Sequence, residues 1–355
     1  MMDRTFLHSR EGLAEALRCQ DPEFNRALLD EAYRVKCETI GPEVYLRGLI
    51  EISNRCVKNC LYCGIRRDVR CHRYELSEEH VLAAAREAAR QRFGSVVIQG
   101  GERTDRAFID KVTRLIQSIK ALPTEPGDPP LGITLSLGEQ PREVYEEWFA
   151  AGAHRYLLRI ESSNPDLYAR IHPADHSFDR RLRALQDLKE TGFQAGTGAM
   201  IGLPYQTAED LAGDLLFYKE FNAPMIGMGP YNPHPDTPLT QSGAPYPSEK
   251  ERFLLGLKMI ALLRLLMPDI NIAAATALEV LDPRGREKGL LAGANVFMPN
   301  LTPEQERQQY NLYEGKPSGG QWSLGESLRD GKIIIGYGHW GDSLHFRKER
   351  NMLNL

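Results

Sequence analysis

The sequence predicts an α/β protein, a single full (β/α)8 barrel of the TIM type behind an N-terminal helical extension. Three observations support that reading. Short apolar runs alternate eight times with longer segments of helical periodicity. The alternation occupies roughly 270 residues, within the usual span of one barrel. No Pro/Gly/Ser-rich linker divides the chain near its middle, and two doubly wound domains, the runner-up architecture, would be expected to show one.

The elements follow in order. Residues 1–43 read as a helical cap, because Leu13, Leu17, Leu28, Leu29, Ala32 and Val35 recur at roughly helical spacing. The barrel is expected over 44–315. Its strands are predicted at 45–52, 95–99, 132–136, 155–160, 194–200, 225–228, 271–275 and 294–298. Its helices are predicted near 78–92, 106–121, 142–151, 179–191, 208–221, 248–266, 284–292 and 303–313. Gly152 and Gly192 stand just past predicted helices, where a glycine suits the left-handed exit turn. Thr207, with Asp210 three residues later, comes close to a capping box. Residues 316–355 form a separate extension, interrupted by Pro317, Gly319, Gly320, Gly325, Gly331, Gly336, Gly338 and Gly341 around a β-prone stretch at 332–336. This tail either covers one end of the barrel or stays partly mobile.

The 355 residues are 42% hydrophobic and 26% charged, an ordinary globular composition able to bury a large core. Formal net charge is −4, so nothing global argues for a nucleic-acid partner, and the basic run at 66–73 reads as a solvated or active-site loop. Residues 1–10 lack the apolar stretch of a signal peptide. The longest apolar segment, 253–267, is broken by Lys258 and Arg264 and is shorter than the ~20 residues of a membrane span, so a buried amphipathic helix is expected and no membrane role. All six cysteines lie at or before Cys71, which is not how a disulfide framework is distributed, and a reducing cytoplasm is the expected location.

Three of those cysteines carry the most specific signal. Cys56, Cys60 and Cys63 follow the first predicted strand as C-x3-C-x2-C, with Tyr62 just before the last. Thiolates this close can share one metal centre, and a trio leaves one iron of a 4Fe-4S cube open to an external molecule. A structural zinc site is the rival, with Cys71 or His72 as fourth ligand, in which case the chain is a zinc-stabilised binding protein without catalysis.

Barrel chemistry gathers at the C-terminal ends of the strands, which selects a few polar residues. Gln99-Gly100-Gly101-Glu102 ends the second strand; its glycines permit close approach to a ligand, or simply a tight turn, and Glu102 can accept from an ammonium. Thr134 and Ser136 share a face of the third strand, as Arg159 and Glu161 do on the fourth, where they either meet a ligand or pair with each other. The segment 198–204, containing Met200, closes the fifth strand and leads into a proline turn. His234 and Asp236 lie in a stiff proline-rich loop and read as structural, the first packed and the second in an Asx-turn. Thr276 closes the seventh strand.

The cysteine triad with its preceding aromatic resembles the radical S-adenosylmethionine (SAM) superfamily. That resemblance implies one 4Fe-4S cluster on Cys56, Cys60 and Cys63, with SAM completing the open iron and being cleaved reductively to a 5'-deoxyadenosyl radical. It implies cofactor contacts from Tyr62, Gly100, Gly101, Glu102, Ser136, Arg159, Glu161 and Met200. Among these, Glu102 would hold the methionine amino group, Arg159 its carboxylate, Glu161 the ribose and the Met200 segment the adenine. A second set of segments, 55–68, 134–139, 155–159, 234–239, 293–295 and 308–315, is similar to the HydE family of FeFe-hydrogenase maturases. This narrower likeness, over about 22–315, implies a small sulfur-containing substrate, a cysteine-bound iron carbonyl cyanide complex, handled during assembly of the hydrogenase diiron centre. It places Thr134, Ser136, Arg159, Thr276 and Tyr310 around the SAM and substrate cavity. It further implies a reductant such as a ferredoxin or flavodoxin, and the other hydrogenase maturases as partners.

The chain departs from that family in three places. No cysteine follows Cys71, which excludes a thiolate-held second cluster after the last barrel helix. Ala275-Thr276 stands where a Thr-Thr pair is expected, and Gly100 where Ser is common. The alternative within the superfamily is a mutase similar to methylornithine synthase, which the chain resembles less around the third strand and His234.

Overall fold

The computed structural model describes residues 4–316 and 325–353. After a 3-10 turn at Thr5–His8, α1 (Arg10–Arg18) and α2 (Pro22–Ile40) precede the barrel. Ser9 accepts from Gly12 N, and Asp21 accepts from Glu23 N and Phe24 N, so both helices begin with side-chain oxygens on amides that a helix start leaves open.

The strands are β1 (Glu43–Ser53), β2 (Ser95–Gly100), β3 (Gly132–Ser136), β4 (Arg155–Leu157), β5 (Gln194–Thr197), β6 (Met200–Ile201), β7 (Met225–Ile226), β8 (Gly229–Pro230), β9 (Asn271–Ile272), β10 (Val296–Phe297) and β11 (Ile334–Ile335). The main sheet runs β10-β1-β2-β3-β4-β5-β7-β9. Its two ends meet through the parallel bridge Ala273 to Val296 and through 2.9 Å hydrogen bonds from Asn295 N to Ile272 O and from Ala274 N to Val296 O. Eight parallel strands therefore close into the predicted barrel. β6 and β8 pair separately and prolong β5 and β7 beyond the rim. The prolongation depends on Gly198, where a Cβ would stand 2.1 Å from Gly227 O.

Between the strands run α3 (Glu78–Arg90), α4 (Arg106–Lys120), α5 (Arg142–Ala150), α6 (Pro165–Ile171), α7 (Phe178–Thr191), α8 (Ala208–Glu220), α9 (Pro238–Gln241), α10 (Glu249–Leu266), α11 (Ala277–Leu281), α12 (Gly285–Leu291) and α13 (Glu304–Arg307), with α14 (Gly325–Arg329) and α15 (Leu344–Leu353) in the tail. One continuous apolar cluster joins strand residues such as Ile50, Ile98 and Leu135 to helix residues such as Ala85, Val112 and Trp148. The capping box of Thr207 with Asp210 forms as expected, and Gly152 and Gly192 adopt φ of 117° and 104° past their helices.

Four expectations change. The fourth strand stops at Leu157 rather than 160, because Ile160 N donates to the Thr197 hydroxyl in place of a backbone carbonyl, and pairing resumes only as the single bridge of Glu161, φ 65°, with Ala199. Arg159 and Glu161 thus do not share a face by strand alternation. Thr276 does not close a strand; it lies four residues beyond β9, at the start of α11. Of the helix expected over 303–313, only Glu304–Arg307 is helical. α10 is buried, as expected, but not amphipathic: Lys258 and Arg264 are both fully buried, Lys258 donating to the carbonyls that end α1 and Arg264 to those of Gly293, Pro268 and Ile270. An amphipathic helix would gather these cations on one polar face, whereas here they cap carbonyls inside the fold.

The described part of the tail covers one end of the barrel. β11 pairs with Glu43 and Val44 at the start of β1. Gly341 O accepts from Arg47 and Asn271, Asp342 accepts from Arg155 and Gln194, and Ser343 N donates to Gln194. These partners sit at strand beginnings, so the plug closes the end opposite the cysteines. Pro317, Gly319 and Gly320 lie outside the described residues.

Candidate active site

The cysteine loop leaves β1 at Ser53 with little regular structure, and cross-links hold it in place. The Arg73 guanidinium donates to the carbonyls of Asn54, Ile65, Arg66, Arg67 and Val69, stitching its two legs together. Val57 N donates to Glu102 O, Leu61 N to Ile171 O and Gly64 N to Leu312 O. His234 packs edge-on against Gly64, where a Cβ would come within 2.4 Å of the ring, so its structural role stands; Asp236 is exposed.

Cys56, Cys60 and Cys63 are partly buried free thiols. Burial pushes Cys60 up to about 12, with Cys56 adding to the shift, and pushes Cys63 further up with both other thiols contributing. Three sulfurs that oppose one another's ionisation fit a shared cation, which removes the protons outright. The barrel mouth beyond them also fits a polar ligand. Arg159 Nε and Nη2, Glu161 Oε2 and Asn232 Oδ1 are buried without a hydrogen bond among the described residues. Arg159 and Glu161 do approach to 3.0 Å as an ion pair, but without hydrogen-bond alignment.

The other predicted residues surround the cysteine loop at different depths. Gly100, Gly101 and Glu102 lie against the cysteine loop, and a Cβ on Gly101 would stand 2.3 Å from Arg55 O and 2.8 Å from Cys56 Cβ. Burial raises the Glu102 carboxyl while Lys58 opposes the shift; Glu102 accepts from Glu139 N at 2.8 Å and lies 3.4 Å from Lys58 Nζ. Met200 belongs to a small apolar cluster with Leu167, Ile171, Leu203, Tyr231 and Leu239, against which Tyr62 packs, so these two side chains share one wall. Ser136 and Gln99 are paired in register, level with Glu51, inside the mouth.

Tyr310 is buried beneath them, 3.4 Å from Gln99 Nε2, with Lys316 over its ring and paired to Glu51. Thr134 sits deeper, its hydroxyl accepting from Arg155 Nε at 3.0 Å, which ties it to the plug. Thr276 is half-buried and makes no capping bond. The structure therefore gathers Tyr62, the Gly-Gly-Glu turn, Arg159, Glu161 and Met200 around the cysteines, leaving Thr134 and Tyr310 a layer below.

Several residues at the mouth were not anticipated. Arg181 on α7 pairs with Glu139, donates to Arg159 O and is nearly fully buried. Although burial raises the Glu139 carboxyl, Arg181 outweighs that and holds it below its usual range. Lys58 reaches both Glu102 and Glu139. His172 and His176 lie against Cys60, and their H-x3-H spacing was the available signal. A separate groove of about 270 Å³ is lined by Leu17, Gly202, Leu211 and Lys258, none of them among the residues named above at the mouth.

A closed parallel barrel with a thiol triad and unsatisfied polar groups at the C-terminal ends of its strands has the arrangement of a barrel enzyme. The chain belongs to the radical SAM superfamily, whose family model matches residues 50–217. Within it the chain is HydE-like: it is 47% identical over 310 residues to the [FeFe] hydrogenase maturase subunit HydE of Thermotoga maritima, covering 87% of this chain and 84% of that one. The 3-methylornithine synthase of Methanosarcina acetivorans is 25% identical over 330 residues, covering 93% and 88%, so the mutase alternative is not favoured. The solved structure of HydG, a maturase of the [FeFe]-hydrogenase, shares the fold at a TM-score of 0.76 and 20% identity, covering 93% of this chain and 73% of that one. Membership makes the chain an enzyme, implies a 4Fe-4S cluster and SAM, and sets aside the non-catalytic zinc protein. Among the described residues no helix is long and apolar enough to cross a membrane.

Proposed function

We propose that this chain is a HydE-type maturase holding one 4Fe-4S cluster on Cys56, Cys60 and Cys63 and acting on a cysteine-bound iron carbonyl cyanide complex in FeFe-hydrogenase assembly. The observation that carries the proposal is the triad wedged against Gly101-Glu102 at a barrel mouth, in a chain 47% identical to HydE. When bound, the cluster and SAM supply a 5'-deoxyadenosyl radical. The protein's part is to bind, orient and exclude water.

In this reading Glu102 holds the methionine ammonium, with Gly100 and Gly101 leaving room for it. Arg159 takes the carboxylate, Arg181 supports it, and Glu161 receives the ribose. The shared wall of Tyr62 and Met200 takes the adenine. Ser136, with Thr134, Thr276 and Tyr310 further in, faces the substrate side. The reading keeps 1–43 as cap, 44–315 as barrel and 316–355 as a C-terminal extension. A low-potential one-electron donor, ferredoxin or flavodoxin, supplies the electron, other maturases exchange the substrate and product, and the compartment is the reducing cytoplasm.

The test is anaerobic reconstitution followed by addition of reductant and SAM. Wild-type protein is expected to carry one cluster per chain and to form 5'-deoxyadenosine, with Cys60→Ala losing both. Protein that binds only zinc, or that holds a cluster without cleaving SAM, would defeat the proposal. Consumption of the synthetic iron complex, followed by infrared spectroscopy of its carbonyl and cyanide bands, separates the HydE substrate from others.

A further inference from the structure

The roles proposed above leave His172 and His176 unused, although both are buried against the cysteine loop, at 3% and 7% exposure. His172 Nδ1 lies 2.9 Å from Tyr168 O, which places its proton on Nδ1 and leaves Nε2 to accept from the Tyr62 hydroxyl, 3.3 Å away. The His176 ring stacks on His172 with centroids 5.0 Å apart and planes inclined by 21°. Its Nε2 is 3.9 Å from Cys60 Sγ, and its Nδ1 is buried with no hydrogen bond among the described residues. Of the two nitrogens, only Nε2 faces an acceptor. The network therefore assigns the proton to Nε2, pointed at sulfur.

We propose that His176 is a positioning residue of the cluster, donating its Nε2–H to the Cys60 sulfur, with His172 fixing both the His176 ring and Tyr62. This inference rests on the proposed function, in which Cys60 is a cluster ligand. A hydrogen bond to a ligating sulfur stabilises the more negative, reduced state of the cluster, so it raises the reduction potential. The step it favours is the entry of one electron, with no proton transferred and no bond made. His172 joins the two ends of the cofactor site, since the tyrosine it holds forms the wall beside Met200.

The experiment compares reconstituted wild-type, His176→Phe and His176→Gln proteins by redox titration at matched iron and sulfide content. Phenylalanine keeps the stacking and removes the donor, whereas glutamine keeps an N–H of similar reach. At the wild-type midpoint, the reduced-to-oxidised ratio of the Phe variant is expected to fall by about three- to tenfold, the upper figure being ~59 mV for one electron. The Gln variant is expected to stay within about twofold of wild type. A second measurement needs no variant: pulsed EPR of the reduced wild-type cluster, labelled with 15N-histidine, is expected to show a weak nitrogen coupling. Unshifted potentials in both variants, equal shifts in both, or no histidine coupling would each overturn the role of His176 while leaving the proposed function intact. Wild-type protein that assembles no cluster would overturn both.

Discussion

Gly101 is where the second strand and the cysteine loop come closest, and a single methyl there has nowhere to go. Its Cβ would meet Arg55 O at 2.3 Å, a backbone atom that cannot rotate away. Gly101→Ala is expected to displace the loop and reduce iron incorporation at least about tenfold while far-ultraviolet circular dichroism stays unchanged, the signature of a local overpacking error. Full iron loading would contradict this. Asp214, fully buried and donated to by Ser163 N, supports the turn that carries Glu161, and burial raises its carboxyl to about 7. A carboxyl raised in the folded state binds more protons there than when unfolded, so its contribution falls as pH climbs from the unfolded value near 4 to about 7. Relative to Asp214→Asn, wild-type apoprotein is expected to lose up to ~4 kcal/mol of urea stability between pH 4 and 8, three pK units at about 1.36 kcal/mol each. Parallel stability curves would exclude it. The triad was legible because its three members lie within eight residues, where spacing alone implies proximity. Arg181 and His176 were not, because they reach Cys60 only after α6 and α7 fold across the mouth, more than a hundred residues later.

At the scale of elements, legibility followed how local the stabilising interaction is. Helices that begin with Ser77, Thr207 and Ser248 start where predicted, since each cap is written within four residues of sequence. The fourth strand and the segment after Glu304 were overestimated, because the Thr197 hydroxyl taking Ile160 N and packing against the cysteine loop decide those ends. The tail plug is the clearest case of a non-local element: Arg155, on β4, is fully buried and finds its carboxylate at Asp342, 187 residues on. Asp342 also lies 3.3 Å from His154 Nε2, and its carboxyl is held far below the usual range despite burial. Removing one partner of a buried ion pair strands the other charge, so Asp342→Ala is expected to cost about 3–5 kcal/mol in urea unfolding. Because the plug occupies the end opposite the cysteines, iron content and SAM cleavage at permissive temperature are expected to change little. A stable variant with lost cleavage would mean that the plug reaches the site through Thr134, to which Arg155 also donates.

Taken as a whole, the molecule carries −4, yet its cysteine loop is basic on the outside. Arg55, Arg67, Arg70 and His72 are exposed there, Asp68 is the one acid between 55 and 73, and Val57, directly after Cys56, is 46% exposed. An exposed apolar residue and three exposed arginines, within the loop that holds the triad, suit an acidic electron carrier of the kind the proposed function calls for, arriving against the chain's overall negative field. Complementary charge acts chiefly on association rate and fades once the Debye length falls to a few ångströms, about 3 Å at 1 M salt. The double charge reversal Arg67→Glu with Arg70→Glu is therefore expected to slow cluster reduction by reduced flavodoxin about tenfold or more at low salt, with the difference shrinking at high salt. Photoreduction with a small flavin analogue is expected to proceed at the wild-type rate in the same preparation, because no docking face is needed. Equal slowing with both reductants would point to damage at the cluster, and an unchanged flavodoxin rate would place the carrier elsewhere. Only the pairing of a slowed, salt-sensitive protein donor with an unaffected small one makes the basic loop the entry point for the electron.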